Sequence, residues 1–125
     1  MNIFYCDDDQ DDIEFFKKAV NKINPKIICT TSLDAEEALT ILASEEKKPD
    51  AIFIDLHMPK FDGLECVIAI KRDKSLKRIP VVILSNGLGK VQIEQFNKLG
   101  VFRFVSKTTF EDLESSLRHV LIPEG

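Results

Sequence analysis

Five short apolar runs recur along the chain, and longer segments with helical periodicity separate them. The runs are mostly continuous, which is typical of strands buried on both faces of a parallel sheet. Between the runs, apolar residues repeat every three or four positions, which predicts amphipathic helices. The pattern therefore predicts an α/β fold of the (βα)5 type, a doubly wound five-stranded parallel sheet with helices on both faces. The predicted strands are Ile3–Cys6, Ile27–Thr31, Ala51–Ile54, Val81–Leu84 and Val101–Val105.

Residues typical of helix ends lie between these runs. Asp34 or Ser32 is expected to cap the second helix, and Thr109 the last one. Gly100 is expected to end the fourth helix, because glycine readily adopts the backbone conformation that follows many last helical turns. The chain contains no linker, repeat or low-complexity tract. We therefore expect one domain over residues 1–125.

Composition and charge narrow the class of protein. A hydrophobic content of 44% with 30% charged residues is ordinary for a folded domain. The net charge of −4 argues against nucleic acid as a partner, because binding a phosphate backbone needs a basic surface. No apolar run approaches the roughly 20 residues that span a bilayer, so we expect a cytoplasmic protein without a membrane partner. The cysteines lack metal-type spacing and are expected to be reduced core thiols; they are Cys6, Cys29 and Cys66.

Polar residues follow four of the predicted strands. In an open α/β sheet, ligands bind at the carboxyl ends of the strands. Acidic residues follow the first strand and the third, a hydroxyl and an amide follow the fourth, and an ammonium follows the fifth. These groups come from distant segments, yet the fold is expected to bring them to one edge. They are Asp7, Asp8 and Asp9, then Asp55, then Ser85 and Asn86, and finally Lys107.

The three acidic residues Asp7, Asp8 and Asp55 would place like charges close together. Such a cluster raises the pKa of at least one carboxyl or destabilises the fold unless a cation relieves it. Oxygen ligands with spare coordination positions suit Mg2+, which binds one or two carboxylates, water and phosphate oxygens. The Lys107 ammonium and the Ser85 hydroxyl complete a binding site for a phosphoryl group. A carboxylate within it can be the nucleophile, so the residues predict phosphoryl transfer to Asp.

Four motifs extend this interpretation to a family. They are CDD at 6–8, FIDLHMPKFDGLE at 53–65, ILSN at 83–86 and FVSK at 104–107. With them the sequence resembles the receiver domain of two-component response regulators, the CheY-like group, over essentially its whole length. The resemblance implies a flavodoxin/CheY-like sheet with strand order 2-1-3-4-5.

The resemblance also implies a role for each site residue. Asp55 would be the phosphoacceptor, and Lys107 would contact the phosphoryl group. Asp8 and Asp55 would bind Mg2+ through their side chains, and His57 through its backbone carbonyl. Asp7 would hold a water molecule on the metal. Beyond catalysing its own phosphorylation and dephosphorylation, the protein is not expected to be an enzyme.

A switch and a set of partners follow from the same resemblance. Ser85 would hydrogen-bond the attached phosphoryl group, and Phe104 occupies the position of the family's switch aromatic. Their movement would reshape the surface of helix 4, strand 5 and helix 5, where a downstream protein would dock. The phosphoryl donor would be a sensor histidine kinase or a histidine phosphotransfer protein.

Three residues depart from the family pattern. The family normally has a proline in a cis peptide bond after the lysine, whereas this chain has Thr108. A cis bond before a non-proline residue costs roughly 2.5–4 kcal/mol, so this loop is either strained or trans. Asn86 is larger than the small residue usually found after the Ser or Thr. Phe104 lacks the hydroxyl of a tyrosine, so a switch there would work by packing alone.

Simpler interpretations apply to some of the acidic residues. Asp9, Asp11 and Asp12 lie at the start of the first predicted helix, where negative side chains interact favourably with the helix dipole. An EF-hand is excluded, because the sixth position counted from Asp7 is Asp12 where glycine is needed, and the twelfth is Lys18 where glutamate is needed.

Two other functions stay open besides a receiver that is phosphorylated. A haloacid-dehalogenase-type phosphohydrolase uses a D-x-D pair, which Asp7 and Asp9 could supply. A receiver-fold interaction module that is never phosphorylated is the other alternative, and Asn86 and Thr108 keep it open. Because the chain ends at Gly125, just past the last predicted helix, we expect a single-domain response regulator that signals by docking or by passing the phosphoryl group to a histidine.

Overall fold

Strands and helices alternate along the chain in the order that the apolar runs predicted. The computed structural model describes residues 1–56, 63–85, 87–107 and 109–122. The strands are β1 (Asn2–Cys6), β2 (Ile28–Ser32), β3 (Ala51–Asp55), β4 (Val81–Ser85) and β5 (Arg103–Ser106). The helices are α1 (Gln10–Ile23), α2 (Ala35–Ser44), α3 (Gly63–Arg72), α4 (Lys90–Lys98) and α5 (Phe110–Leu121). The strands form one parallel sheet in the order β2-β1-β3-β4-β5, so the predicted strand order is confirmed.

Helices cover both faces of the sheet, because successive strand residues point to opposite sides. On the first face, α1 and α5 pack over residues such as Tyr5 and Phe53; we call this the α1–α5 face. On the second face, α2, α3 and α4 pack over residues such as Ile54 and Ile83; we call this the α4 face. The predicted doubly wound architecture is confirmed. Among the described residues, no helix has both the length and the apolar character needed to cross a membrane.

The predicted helix ends agree with the hydrogen bonds. Asp34 caps α2, because its carboxylate accepts the Glu37 N–H at 2.6 Å, whereas the Ser32 hydroxyl donates to the Asp34 carbonyl. The Thr109 side chain caps α5 in the same way. Gly100 follows α4 with a φ of +83°, a conformation that favours glycine over residues with a side chain.

The outer strands differ most from their predictions. β5 begins at Arg103, two residues later than expected, because the Val101 N–H still donates to the Phe96 carbonyl at the end of α4. β2 is an edge strand and is not buried on both faces, since Ile28 is 61% exposed. Both deviations occur at the sheet edges, where one side of a strand has no neighbouring strand to cover it.

The three cysteines are free thiols. Cys6 and Cys66 are buried, and Cys29 is half-buried. Burial raises the pKa of the Cys29 thiol to about 11 and that of Cys66 to about 12. Because the thiolate is the reactive form, these side chains behave as small apolar core residues at neutral pH.

Candidate functional site

Two central strands and the outer strand β5 bring the predicted acidic residues and the lysine to one edge of the sheet. Asp7 directly follows β1, and Asp55 is the last residue of β3. The register pairs Cys6 with Ile54, so the two aspartates occupy neighbouring positions one residue further on. Lys107 follows β5 and reaches both carboxylates across the end of β4.

The Asp7 carboxylate is fully buried and hydrogen-bonded from several directions. One oxygen accepts the Asp9 N–H at 3.0 Å, and the other accepts the Tyr5 hydroxyl and the Lys107 ammonium. The backbone N–H of Asp7 donates to the Ser32 carbonyl at 3.1 Å. A buried carboxylate needs such partners, and these bonds fix its orientation.

The Lys107 ammonium lies among three carboxylates. Its Nζ is 2.9 Å from Asp7 Oδ2, 2.9 Å from Asp12 Oδ2 and 3.2 Å from Asp55 Oδ1. Burial alone would lower the pKa of Lys107, but hydrogen bonds to Asp12 and Asp7 and the charge of Asp55 outweigh it, so the pKa is raised. The ammonium therefore remains charged at physiological pH.

Oxygen atoms suited to a metal ion converge beside this lysine. One carboxylate oxygen from each of Asp7, Asp8 and Asp55 lies within 4.8 Å of the others. Asp8 is exposed, and partial desolvation, followed by the charge of Asp7, raises the pKa of its carboxyl. Negative charge exceeds the single Lys107 charge here, and oxygen is the donor that hard divalent cations prefer. The cluster therefore fits a divalent metal ion that solvent can reach from the Asp8 side.

Ser85 ends β4 on the same edge, but its hydroxyl is bound to its own loop. The side chain is almost buried, at 6% exposure. Ser85 Oγ donates to the Gly87 carbonyl and accepts the Gly87 N–H, both at 3.0 Å. The predicted hydrogen bond to a phosphoryl group would therefore require the hydroxyl to leave Gly87.

The predicted switch aromatic, Phe104, lies on β5 and contacts α4. Its half-buried ring meets the buried ring of Phe96 edge to face, with centroids 6.1 Å apart and planes at 64°. Phe96 belongs to α4, so any movement of Phe104 acts on that helix. The switch role itself stays a prediction.

Three residues named in the sequence analysis lie outside the described residues. They are His57, expected to bind the metal through its carbonyl, and Asn86 and Thr108, which depart from the family pattern. The Lys107–Thr108 peptide bond, expected to be either strained or trans, lies there as well.

The acidic residues at the start of α1 have separate roles. The Asp9 carboxylate caps the helix by accepting the Asp11 N–H at 2.9 Å, which agrees with the interpretation of Asp9 as a favourable partner of the helix start. The same interpretation of Asp12 is incomplete, because its carboxylate forms an ion pair with Lys107. No local pattern signals this pair, since its members are 95 residues apart in sequence.

Tyr5 is a second residue that sequence reasoning missed. It is fully buried in β1 and donates its hydroxyl hydrogen to Asp7. Burial, followed by the Asp7 charge, raises the pKa of Tyr5, so the phenol stays protonated and can donate. A signal was present, because Tyr5 is the only tyrosine beside nine phenylalanines, and a buried phenol usually has a hydrogen-bond partner.

Comparison with known proteins agrees with this geometry. The family model for the response regulator receiver domain matches residues 3–118. The crystal structure of the phosphorylated cyanobacterial phytochrome response regulator RcpA is similar with a TM-score of 0.87 and 30% identity, over 99% of this chain and 96% of that one. Response regulator Rcp1 of Synechocystis sp. is 28% identical over 73% of this chain and 71% of its own length.

Longer proteins match over part of their length. The sensory/regulatory protein RpfC of Xanthomonas campestris pv. campestris is 26% identical over 98% of this chain, which spans 18% of RpfC. The similarity thus concerns one module of that protein. Receiver domains are signalling modules of two-component systems and differ from conventional enzymes. With its family match over nearly the whole length, its strand order and its acidic edge, the chain belongs to the response regulator receiver domain family.

Proposed function

We propose that this receiver domain accepts a phosphoryl group on Asp55 and thereby controls binding to other proteins. The observation that carries the proposal is the position of the Lys107 ammonium, 3.2 Å from an oxygen of Asp55 and next to the carboxylates of Asp7 and Asp8. A nucleophilic carboxylate, a cation and a set of metal ligands are together what phosphoryl transfer to a carboxylate requires.

We assign Mg2+ as the metal ion. Asp8 and Asp55 would bind it through their carboxylates and Asp7 through a water molecule, with the His57 carbonyl as a further ligand outside the described residues. Mg2+ suits this donor set, because it takes few carboxylates and retains water and phosphate oxygens. When bound, it would neutralise negative charge on the phosphoryl oxygens.

Three residues of the chain have separate roles in the transfer. An Asp55 carboxylate oxygen attacks the phosphorus and forms a new P–O bond, while the bond to the donor's nitrogen or oxygen breaks and its electron pair leaves with the donor. Lys107 donates hydrogen bonds to the phosphoryl oxygens and balances their charge. Ser85 gives up its hydrogen bonds to Gly87 and donates to the attached group.

Receiver domains work with histidine kinases or histidine phosphotransfer proteins, and we propose that such a protein is the phosphoryl donor here. RcpA, whose solved structure is of the phosphorylated protein, supports the phosphorylation itself. Loss of the Ser85–Gly87 bonds would act on the segment that leads into α4, and Phe104 contacts α4 through Phe96. We therefore propose the surface of α4, β5 and α5 as the site where a downstream protein binds. The cytoplasmic location and the single-domain organisation remain predictions.

The direct test is incubation with Mg2+ and acetyl phosphate, followed by intact-mass measurement. We expect one phosphoryl adduct, which is lost when Mg2+ is omitted and in Asp55→Asn. Asp50→Asn is the matched control, because it removes a carboxylate charge immediately before the amino end of the same strand, and it should retain the adduct.

The same experiment separates the alternative functions. A phosphohydrolase would consume acetyl phosphate continuously without accumulating an adduct. An interaction module that is never phosphorylated would show neither adduct nor turnover. An adduct of equal yield in Asp55→Asn would contradict the assignment of the phosphoacceptor.

A further inference from the structure

Asp12 forms an ion pair that the chemistry above does not use. Its Oδ2 lies 2.9 Å from Lys107 Nζ, closer than the 3.2 Å that separates the ammonium from Asp55. An ammonium has three hydrogens to donate, and the carboxylates of Asp7, Asp12 and Asp55 each accept one. We propose that Asp12 is a positioning residue that holds the Lys107 ammonium beside Asp55, an inference that rests on the proposed phosphoryl transfer.

The fold fixes Asp12 more firmly than it fixes the lysine. Asp12 lies in the first turn of α1, where its N–H donates to the capping Asp9 carboxylate. The helix is anchored directly below by the fully buried Ile13 and Phe16. Lys107 instead has a flexible four-carbon side chain and follows the end of β5. A short, helix-held carboxylate can therefore restrain a long side chain that comes from another segment.

The surroundings of the ion pair make this restraint effective. A cavity of about 340 Å3 borders Asp12 and Lys107, and its other walls include the apolar side chains of Phe15, Phe16 and Leu113. Apolar walls lower the local dielectric constant and so strengthen an ion pair beside them. These three apolar side chains offer no acceptor to an ammonium, and Asp11, which also lines the cavity, forms no ion pair with Lys107. Without Asp12, the side of Lys107 that faces α1 would lose its hydrogen-bond partner among the described residues.

Asp12 is also separate from the carboxylates that would hold a cation. The converging oxygens belong to Asp7, Asp8 and Asp55, and the Asp7 oxygen that binds Lys107 is shared with Tyr5. A divalent cation among those residues repels the ammonium. Asp12 attracts the ammonium from the α1 side and thereby opposes its displacement.

The test compares Asp12→Asn with the unaltered protein in two measurements. The first is the rate of reductive methylation of Lys107, followed by peptide mass spectrometry without metal or phosphodonor. We expect this rate to rise about fivefold, because the ammonium of a side chain that is 13% exposed and bound to three carboxylates gains access to the reagent. The second is the rate of adduct formation with Mg2+ and acetyl phosphate, which we expect to fall about three- to fivefold, the effect of losing one half-exposed ion pair.

Two variants control the interpretation. Asp11→Asn removes the same charge from the same helical turn, but Asp11 forms no ion pair with a described residue, so both rates should stay within about twofold. Asp12→Glu keeps the carboxylate and should restore protection of Lys107. Circular dichroism shows whether each variant is folded.

Each outcome decides between the two claims. Unchanged methylation in Asp12→Asn, or faster adduct formation, would overturn the positioning role; the latter would mean that Asp12 competes for Lys107. A lack of adduct in the unaltered protein would overturn the proposed function instead. The methylation rates would then still show whether Asp12 holds Lys107.

Discussion

Helices α1 and α5, on one face of the sheet, are anchored more extensively than α4 on the other face. On the α1–α5 face, α1 buries Ile13, Phe16, Ala19 and Val20, and α5 buries three leucines. On the α4 face, α4 buries Phe96 alone among its nine residues. The helix caps also favour α1 and α5. Side chains cap the amino ends of these two helices, whereas Gly89 gives α4 no side-chain cap.

The candidate site is divided between these faces. Its acidic centre is tied to the α1–α5 face, where the Tyr5 ring stacks on Phe16 with centroids 4.0 Å apart and the Tyr5 hydroxyl binds Asp7. The residues assigned to the switch, Ser85 and Phe104, contact the α4 side. Elements with few buried contacts open at the lowest free-energy cost. The difference predicts that α4 opens more readily than the helices that hold the acidic centre.

The largest expected effect tests the anchoring of the α1–α5 face. Phe16→Ala should lower the free energy of unfolding by about 3–5 kcal/mol, because it opens a cavity against Tyr5 and Phe53 in a fully buried position. Urea denaturation measures this loss. Phe15→Ala, one residue earlier, should cost only about 1 kcal/mol, since that ring is 37% exposed and meets one partner edge to face. Equal losses in the two variants would contradict the role of the buried Phe16 ring in anchoring α1.

A smaller effect is expected from strengthening α4. Gly89→Ser supplies a hydroxyl cap at a position with φ −75° and ψ 161°, which any residue can adopt, and the added Cβ has room. We expect a gain of about 0.5–1 kcal/mol in the free energy of unfolding, together with slower hydrogen exchange in α4. Gly89→Ala is the control, because it stiffens the chain in the same way without a capping oxygen. If alanine slowed exchange in α4 as much as serine, the missing cap would not explain the weakness of this helix.

The smallest effect concerns a surface link between α1 and α5. The hydrogen bond from Arg118, followed by the interaction with Lys22, lowers the pKa of Glu114. Because the folded-state pKa lies below the unfolded one, the link stabilises the protein above about pH 4.5 and is lost as the pH falls through the folded-state pKa. Glu114→Gln should therefore be slightly less stable than the unaltered protein at pH 7 and equally stable near pH 3, in denaturation experiments at each pH. If the difference in stability between Glu114→Gln and the unaltered protein does not change with pH, the effect comes from packing. Glu111→Gln is the control at an exposed position on α5.

The sequence predicted the central strands better than the outer ones, for a physical reason. The predictions for β3 and β4 differ from the structure by one residue at the carboxyl end, because every residue in these strands is buried and therefore apolar up to the functional edge. β2 and β5 lie at the sheet edges, where exposed apolar residues such as Ile28 and Phe102 blur the pattern. Their ends depend on hydrogen bonds that hydrophobicity does not encode.

The sequence predicted those parts of the site that lie directly after the ends of strands. Asp7, Asp8, Asp55 and Lys107 meet because parallel strands deliver their following residues to one edge. The contact between Asp12 and Lys107 depends on how α1 lies across the end of β5, which no local pattern contains. The direction of the Ser85 hydroxyl is a matter of side-chain rotation, and its bond to Gly87 could be found only in the folded structure.

The hydrogen bond from Tyr5 to Asp7 has an optical consequence. The chain contains no tryptophan and no other tyrosine, so its near-ultraviolet phenol signal comes from one ring whose hydroxyl touches the acidic centre. Any cation that interacts with the Asp7 carboxylate changes the electronic environment of that phenol. Metal titrations can therefore be followed by the intrinsic absorption and fluorescence of the unlabelled protein.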